Sequence, residues 1–133
     1  MPSSASRASA DDRLFTYGTL MRGHALHPLL TRGAAFLEEG SVPGRLLDLG
    51  PYPGLVPGRG RVRGELYRLD DPALLPMLDR EEGVQFLRRR TTVTLARGRR
   101  ARAWVYRYRG PRDRAVPIPD GDYRSHSGRL RWR

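Results

Sequence analysis

A glutamate followed by glycine, between a short apolar run and a β-type run, is the residue of this sequence best suited to proton transfer. Glu82 lies near the end of the segment Leu78–Gly83 (LDREEG). A carboxylate on a rigid turn at a sheet end is well placed to face a cavity. The neighbouring acids Asp79 and Glu81 can raise its pKa toward neutrality, where a general base works well. Acidic residues after a short helix are also often simply solvated, so both interpretations stay open on these residues alone.

The segment Tyr17–Leu20 (YGTL) offers a second kind of chemistry, which is anion binding by backbone N–H groups. A short β-type run ends at Gly18, and the chain then leads toward a segment with helical spacing. Successive N–H groups at such a strand end can bind a carboxylate or an oxyanion. Gly18 suits either a positive φ or a close contact with a ligand. An ordinary strand-to-helix turn explains the same four residues, so the motif has little specificity by itself.

The composition excludes several other kinds of chemistry. The 133 residues include no cysteine, and all 25 basic residues are arginine, which excludes thiol and lysine nucleophiles as well as disulfides. The three histidines, His24, His27 and His126, are too scattered to suggest a metal cage, so we expect no metal site. We interpret His24 and His27 as packing or capping residues rather than as bases.

The strongly basic charge has two explanations. The 25 basic and 14 acidic residues give a net charge of +11, which is typical of polyanion binders but also follows from a compositional bias toward arginine. The arginines are dispersed from Arg7 to Arg133 and cluster only at Arg88–Arg90 and Arg97–Arg102, in or beside strand-like segments. We favour the bias and do not expect a nucleic-acid partner. Without a long apolar run or a secretory signal, we expect a cytoplasmic protein with no membrane partner.

The elements that must position these residues follow from apolar spacing and from the glycines and prolines. We expect a disordered tail over residues 1–12 and a single domain over residues 13–133. The order of elements favours an α+β fold in which a strongly bent mixed sheet forms a small barrel-like core with few short helices. The expected strands are Arg13–Tyr17, a bent pair in Ala35–Gly50, Arg61–Leu69, and a hairpin of Phe86–Ala96 and Arg100–Arg109. We expect one helix near Pro28 and one over Ala73–Leu78. Turns are expected at Pro51–Gly60 and Asp79–Val84.

Several of these short segments occur in the order found in one protein family. They are Tyr17–Leu20, Arg22-Gly23 with His27, Tyr52–Val56, Gly64–Tyr67, Leu78–Gly83, the strand from Phe86, Ala103–Tyr106 and Gly121–Tyr123. The ordered set resembles the γ-glutamylcyclotransferase-like superfamily, which includes γ-glutamylamine cyclotransferase and the AIG2-like proteins. The similarity extends from about Leu14 to Tyr123, and the loop Tyr52–Gly60 (YPGLVPGRG) is most similar to small bacterial members.

The resemblance implies a cavity flanked by Glu82 and by the Tyr-Gly-Thr-Leu loop. In active relatives this glutamate is the acid/base, so the resemblance implies a catalytic role for Glu82. It also implies that the backbone of Tyr17, Gly18, Thr19 and Leu20 binds the glutamyl part of the substrate. The implied reaction needs no cofactor: the α-amine of a γ-glutamyl amide or γ-glutamylamine attacks its own γ-carbonyl, and 5-oxoproline is released.

Two departures from the family pattern and one alternative accompany this expectation. Phe86 stands where the family has a tyrosine at the start of the strand after the glutamate, so a hydroxyl contact is absent. The loop between Glu82 and Phe86 is also short, and both departures lead us to expect a different substrate fit. The alternative is a non-catalytic module of the same fold that holds a small carboxylate, because fold membership does not by itself establish activity.

Overall fold

The computed structural model describes residues 12–126 of the chain. Its strands and main helix are β1 (Arg13–Thr16), β2 (Ala34–Asp48), β3 (Pro53–Leu69), α1 (Leu74–Glu82), β4 (Phe86–Thr94), β5 (Arg100–Tyr108) and β6 (Val116–Ile118). Single 3-10 turns lie at His27–Leu29 and Ala96–Gly98, and residues 123–126 form one helical turn. The expected tail of residues 1–12 lies outside the described residues except for Asp12.

Five of the described strands close into a barrel. β1 pairs antiparallel with β3, β3 with β2, β2 with β4, and β4 with β5. The ring closes where β5 pairs with β1 in parallel, with Leu14 opposite Trp104. β6 extends the sheet beside the end of β2. The expected fold class, a strongly bent mixed sheet with few short helices, is confirmed.

The two longest strands bend at irregularities that the sequence marks with glycine and proline. Between the pairs Pro43–Arg61 and Arg45–Val56, a single residue of β2, Gly44, faces the four residues 57–60 of β3. Our expectation of a turn-rich loop over Pro51–Gly60 was therefore wrong, because most of this segment belongs to β3. Bulges tolerate the proline and the positive φ angles found there, so turn-forming residues here bend a strand instead of ending it.

Two apolar clusters hold the barrel and its helix together. The barrel interior is filled by alternate residues of the strands, among them Phe15, Val62 and Val105, which have at most 1% exposure. On the outer face, Leu74 and Leu78 of α1 pack in a second cluster. Burying each such side chain contributes roughly 1.5–3 kcal/mol. This packing fixes the end of α1 against the barrel.

The end of α1 differs from the expectation in a way that matters for Glu82. We expected a helix over Ala73–Leu78 and then a polar turn, but the helix continues through Glu82. Leu74 and Leu78, one turn apart, anchor the helix, and Gly83 ends it with φ 78° while its N–H donates to the Asp79 carbonyl (3.3 Å). Glu82 is therefore held on a helix. No helix among the described residues has the length and apolar character needed to cross a membrane.

Candidate active site

Glu82 and the Tyr17–Leu20 loop line one cavity of about 140 Å³. The loop after β1 forms one wall, and the last turn of α1, with Glu81 and Glu82, forms another. The start of β3 and the start of β4 complete the rim. The structure thus brings together all five residues that the sequence analysis selected, although they lie more than 60 positions apart in the chain.

The Glu82 carboxyl is half-buried, and its protonation is set by that burial. Burial raises its pKa from 4.5 to about 7, and the charge of Glu81 adds to this shift. Its place in the last turn of α1, at the negative end of the helix dipole, acts in the same direction. Among residues 12–126, no arginine or other hydrogen-bond donor is bound to this carboxyl. A carboxyl of this kind can take up and release a proton near neutral pH.

Asp79 does not share this environment. Although burial opposes ionisation, hydrogen bonds from Arg88 and Tyr106 hold the pKa of Asp79 below its usual value. The Arg88 Nε lies 2.9 Å and the Tyr106 hydroxyl 2.7 Å from its Oδ1. Our expectation that Asp79 helps raise the pKa of Glu82 was therefore wrong, because its charge is engaged by Arg88; Glu81 has that effect instead.

The loop after β1 leaves backbone donors available at the cavity. In the described part of the chain, no turn or loop hydrogen bond uses the N–H of Gly18, Thr19 or Leu20 as donor. Their carbonyls, in contrast, fix the loop: the Gly18 carbonyl accepts from Met21 N–H (3.0 Å), and the Thr19 carbonyl accepts from Leu26 N–H (2.8 Å). Three N–H groups without a partner in the loop suit an anionic ligand.

Close packing explains why residue 18 is a glycine. Gly18 is not among the residues with positive φ, so that part of the expectation was wrong. A Cβ built on Gly18 would lie 2.6 Å from Cγ of Pro53. The absence of a side chain thus lets the loop lie directly against the first residue of β3, which places the loop at the rim of the cavity.

The side chains of Tyr17 and His27 support the loop from within the protein. The Tyr17 hydroxyl donates to the Tyr106 carbonyl (2.7 Å) and accepts from Leu55 N–H (3.0 Å). Burial raises the pKa of Tyr17 far above its usual value, so the phenol stays neutral. His27 Nδ1 lies 3.0 Å from the Leu20 carbonyl, in agreement with the packing role expected for it. The backbone of the loop therefore remains the part that can bind a ligand.

An apolar rim completes the cavity, and of its residues the sequence analysis singled out only Phe86. The rings of Tyr52 and Phe86 meet edge-on with centroids 5.6 Å apart, and Leu26 also lines the cavity. The Tyr-Pro-Gly segment that begins at Tyr52 was the available signal, but we used it as a turn and as part of the family resemblance, without a place in the site. Within residues 12–126, no three acidic or histidine side chains stand close enough together to hold a metal ion.

Comparison with known proteins identifies relatives over most of the chain. Residues 14–125 match the sequence model of the family described as gamma-glutamyl cyclotransferase, AIG2-like. The gamma-glutamylcyclotransferase family protein YtfP of Escherichia coli K12 is 37% identical over 114 residues, which cover 84% of this chain and 95% of YtfP.

Solved structures agree with this similarity. The crystal structure of PH0828 from Pyrococcus horikoshii superposes with a TM-score of 0.75 at 25% identity and covers 90% of this chain and 96% of its own. A mouse AIG2-like protein superposes with a TM-score of 0.64 at 30% identity, over 72% of this chain and 76% of its own. The resemblance drawn from the ordered sequence segments is thereby confirmed.

Proposed function

Because this chain belongs to the AIG2-like gamma-glutamyl cyclotransferase family, we propose that it releases 5-oxoproline from a γ-glutamyl amide or γ-glutamylamine, with Glu82 as the acid/base. The single observation that carries the proposal is the shared cavity. The half-buried carboxyl of Glu82 and the backbone of the Tyr17–Leu20 loop line the same space. A proton acceptor and a set of anion-binding N–H groups are the two components that this reaction requires.

The loop binds the glutamyl part of the substrate. The N–H groups of Gly18, Thr19 and Leu20 donate to its α-carboxylate or to the oxyanion that develops on the γ-carbonyl. These backbone donors carry no formal charge, and no arginine lines the cavity among the described residues. Selectivity for the glutamyl group therefore rests on shape and on the direction of the amides. The leaving amine lies toward the apolar rim of Tyr52 and Phe86.

Glu82 carries the proton from the nucleophile to the leaving group. Its carboxylate takes a proton from the substrate's α-ammonium, and the freed amine forms a bond to the γ-carbonyl carbon. The bond from that carbon to the leaving nitrogen then breaks as the proton of Glu82 passes to that nitrogen. As the ring closes, its nitrogen loses a second proton to the departing amine, which leaves in its ammonium form. The products are 5-oxoproline and this ammonium, the Glu82 carboxylate is regenerated, and no other reactant is needed.

The raised pKa of Glu82 matches this task. The substrate's α-ammonium is a weaker acid than either form of the carboxyl, so proton transfer to Glu82 is uphill. Raising the pKa of the acceptor from 4.5 to about 7 makes this transfer ~3 kcal/mol less unfavourable than transfer to an ordinary glutamate. The remaining barrier is lowered by holding the substrate in the conformation in which its own amine faces the carbonyl, an effect worth up to ~7–11 kcal/mol.

A screen of γ-glutamyl amines and γ-glutamyl dipeptides for 5-oxoproline release tests the proposal. The wild-type protein is expected to turn over at least one class, and Glu82→Gln is expected to lose at least ~10²-fold in turnover. Glu38→Gln is the matched control, because Glu38 pairs with Arg99 away from the cavity and its loss leaves the site intact. Undiminished release by Glu82→Gln would remove the acid/base from the mechanism.

The same screen separates the enzyme from the alternative function. Saturable binding of 5-oxoproline or glutamate, with no release from any member of the panel, would identify a carboxylate-binding module. The amide donors of the loop suit a small carboxylate in either case, so the release assay, and not the binding assay, decides between the two functions.

A further inference from the structure

A buried carboxylate next to the loop takes no part in the mechanism above. Glu65 of β3 has 0% exposure and does not line the cavity. Its Oε1 accepts from Arg22 N–H (3.0 Å) and from the Tyr67 hydroxyl (2.8 Å). Its Oε2 accepts from Arg22 Nε (3.0 Å) and from Arg124 Nη2 (2.5 Å). Four donors thus converge on one carboxylate from three separate segments of the chain.

The charge of Glu65 is compensated in full. Burial opposes ionisation, but hydrogen bonds from Arg22 and Tyr67 hold the pKa of Glu65 below its usual value. The two arginine side chains are about half exposed, at 49% and 44%. Apolar residues of similar size would commonly stabilise such a core position at least as well as a buried ion pair. The buried Glu65 carboxylate therefore indicates that the chain segments it joins must be held in a fixed geometry.

Both ends of the ligand-binding loop are attached at Glu65. Before the loop, Thr16 is the residue of β1 that stands opposite Glu65 in the β1–β3 register. After the loop, the backbone and side chain of Arg22 bind the Glu65 carboxylate. Residues 17–21 therefore span two attachment points on one residue, and the Met21 N–H to Gly18 carbonyl bond (3.0 Å) closes the turn between them.

We propose that Glu65 is a positioning residue of the active site, which holds Arg22 and thereby fixes the direction of the N–H groups of residues 18–20. Its effect on turnover rests on the proposed function, whereas its effect on the loop does not. Arg124 contributes from the helical turn at residues 123–126 and also lies 3.3 Å from Glu39. Arg124 contacts the loop through the sulfur of Met21 (Nη2–Sδ 3.7 Å), which is weaker than the two hydrogen bonds that Arg22 makes to the carboxylate, so its loss is expected to have a smaller effect than the loss of Arg22.

Replacement of Arg22 tests this inference better than replacement of Glu65. Removal of the Glu65 charge would leave two arginines and a tyrosine without their acceptor in a buried place, and the fold itself would suffer. Arg22→Met removes one charged partner but leaves Arg124 on Glu65. Arg22→Lys keeps a cation that can reach the carboxylate. Arg99→Met is the matched control, since Arg99 is a similarly exposed arginine paired with Glu38 away from the cavity.

Two measurements are made on the full-length protein. The first is amide hydrogen exchange at residues 21 and 22, whose N–H groups are hydrogen-bonded to the Gly18 carbonyl and to Glu65. This exchange is expected to accelerate at least ~10-fold in Arg22→Met and to stay near wild type in Arg22→Lys and Arg99→Met. The second is 5-oxoproline release, where Arg22→Met is expected to raise KM or lower kcat/KM by between about 10-fold and 100-fold. The pH at which Glu82 titrates in the rate profile should not move.

Each result has a defined meaning. Exchange and kinetics of folded Arg22→Met that match those of Arg99→Met would overturn the positioning role. Equal losses in Arg22→Lys and Arg22→Met, with equal losses of thermal stability, would also overturn it in favour of general destabilisation. Wild-type protein without any 5-oxoproline release would refute the proposed function alone, because faster exchange at residues 21 and 22 in Arg22→Met would still support the attachment of the loop to Glu65.

Discussion

Replacement of Glu82 by glutamine is expected to stabilise the fold at alkaline pH while it removes the acid/base. In the unfolded chain the carboxyl has a pKa of 4.5, and in the folded protein the pKa is about 7. Below pH 4.5 the carboxyl is protonated in both states and its titration does not affect stability. Between pH 4.5 and 7 the unfolded state ionises first, so the free energy of unfolding falls as the pH rises.

The size of the effect follows from the two pKa values. A difference of ~2.5 units corresponds to ~3 kcal/mol of unfolding free energy above pH 7, since each unit is worth ~1.4 kcal/mol. Glutamine does not titrate and escapes this loss. The stability of Glu82→Gln relative to wild type should therefore grow by about 2–3 kcal/mol between pH 5 and pH 8.5.

Urea unfolding of both proteins at pH 5 and pH 8.5 measures this difference. Glu38→Gln is a control of opposite sign, because a hydrogen bond from Arg99 lowers the pKa of Glu38, and its ionised form therefore favours the folded state. A stability difference between wild type and Glu82→Gln that is the same at both pH values would refute the reasoning, because it would mean that the carboxyl is solvated and titrates normally.

Three further predictions concern the same region. The rate of 5-oxoproline release should rise with pH through about 7 as Glu82 ionises. Glu81→Gln should shift this rise to lower pH because it removes the nearby charge. A pH profile of initial rates that does not shift in Glu81→Gln would contradict the role given to Glu81. Gly18→Ala should lower the unfolding free energy by ~1–3 kcal/mol because its Cβ meets Pro53, and Pro53→Ala should restore part of the loss in a double-mutant cycle; strict additivity would argue against the contact. Thr16→Val should raise the melting temperature or leave it unchanged, because the buried hydroxyl has no partner among the described residues; clear destabilisation would reveal a hydrogen bond.

The parts of the fold that depend on local pattern could be predicted from the sequence. A short β-type run indicated β1, and the alternation of apolar and polar residues indicated the β4–β5 hairpin, whose turn contains Gly98 with φ 75°. Turn-forming residues misled the prediction between positions 51 and 60, because a bulge in a long strand and a loop use the same glycines and prolines. The polar run at the end of α1 was likewise taken for a turn, although Leu74 and Leu78 anchor it as a helix.

The residues of the site could be predicted from the sequence, but the contacts that hold them in place could not. The resemblance selected Glu82 and the loop at residues 17–20, and the structure brings them to one cavity. The contacts that hold them join distant positions: the Tyr17 hydroxyl meets the carbonyl of Tyr106, 89 positions away, and Glu65 meets Arg124, 59 positions away. Such pairs depend on the closure of the barrel, and no local spacing in the sequence records them.

A crystal structure with bound 5-oxoproline would show whether Glu82 and the loop at residues 17–20 act on one ligand. The product carboxylate or ring carbonyl is expected to accept hydrogen bonds from the N–H groups of residues 18–20, and the ring nitrogen is expected to lie within hydrogen-bond distance of the Glu82 carboxyl. Product bound away from this cavity, or a Glu82 side chain directed into solvent beside a product held by other groups, would contradict the account.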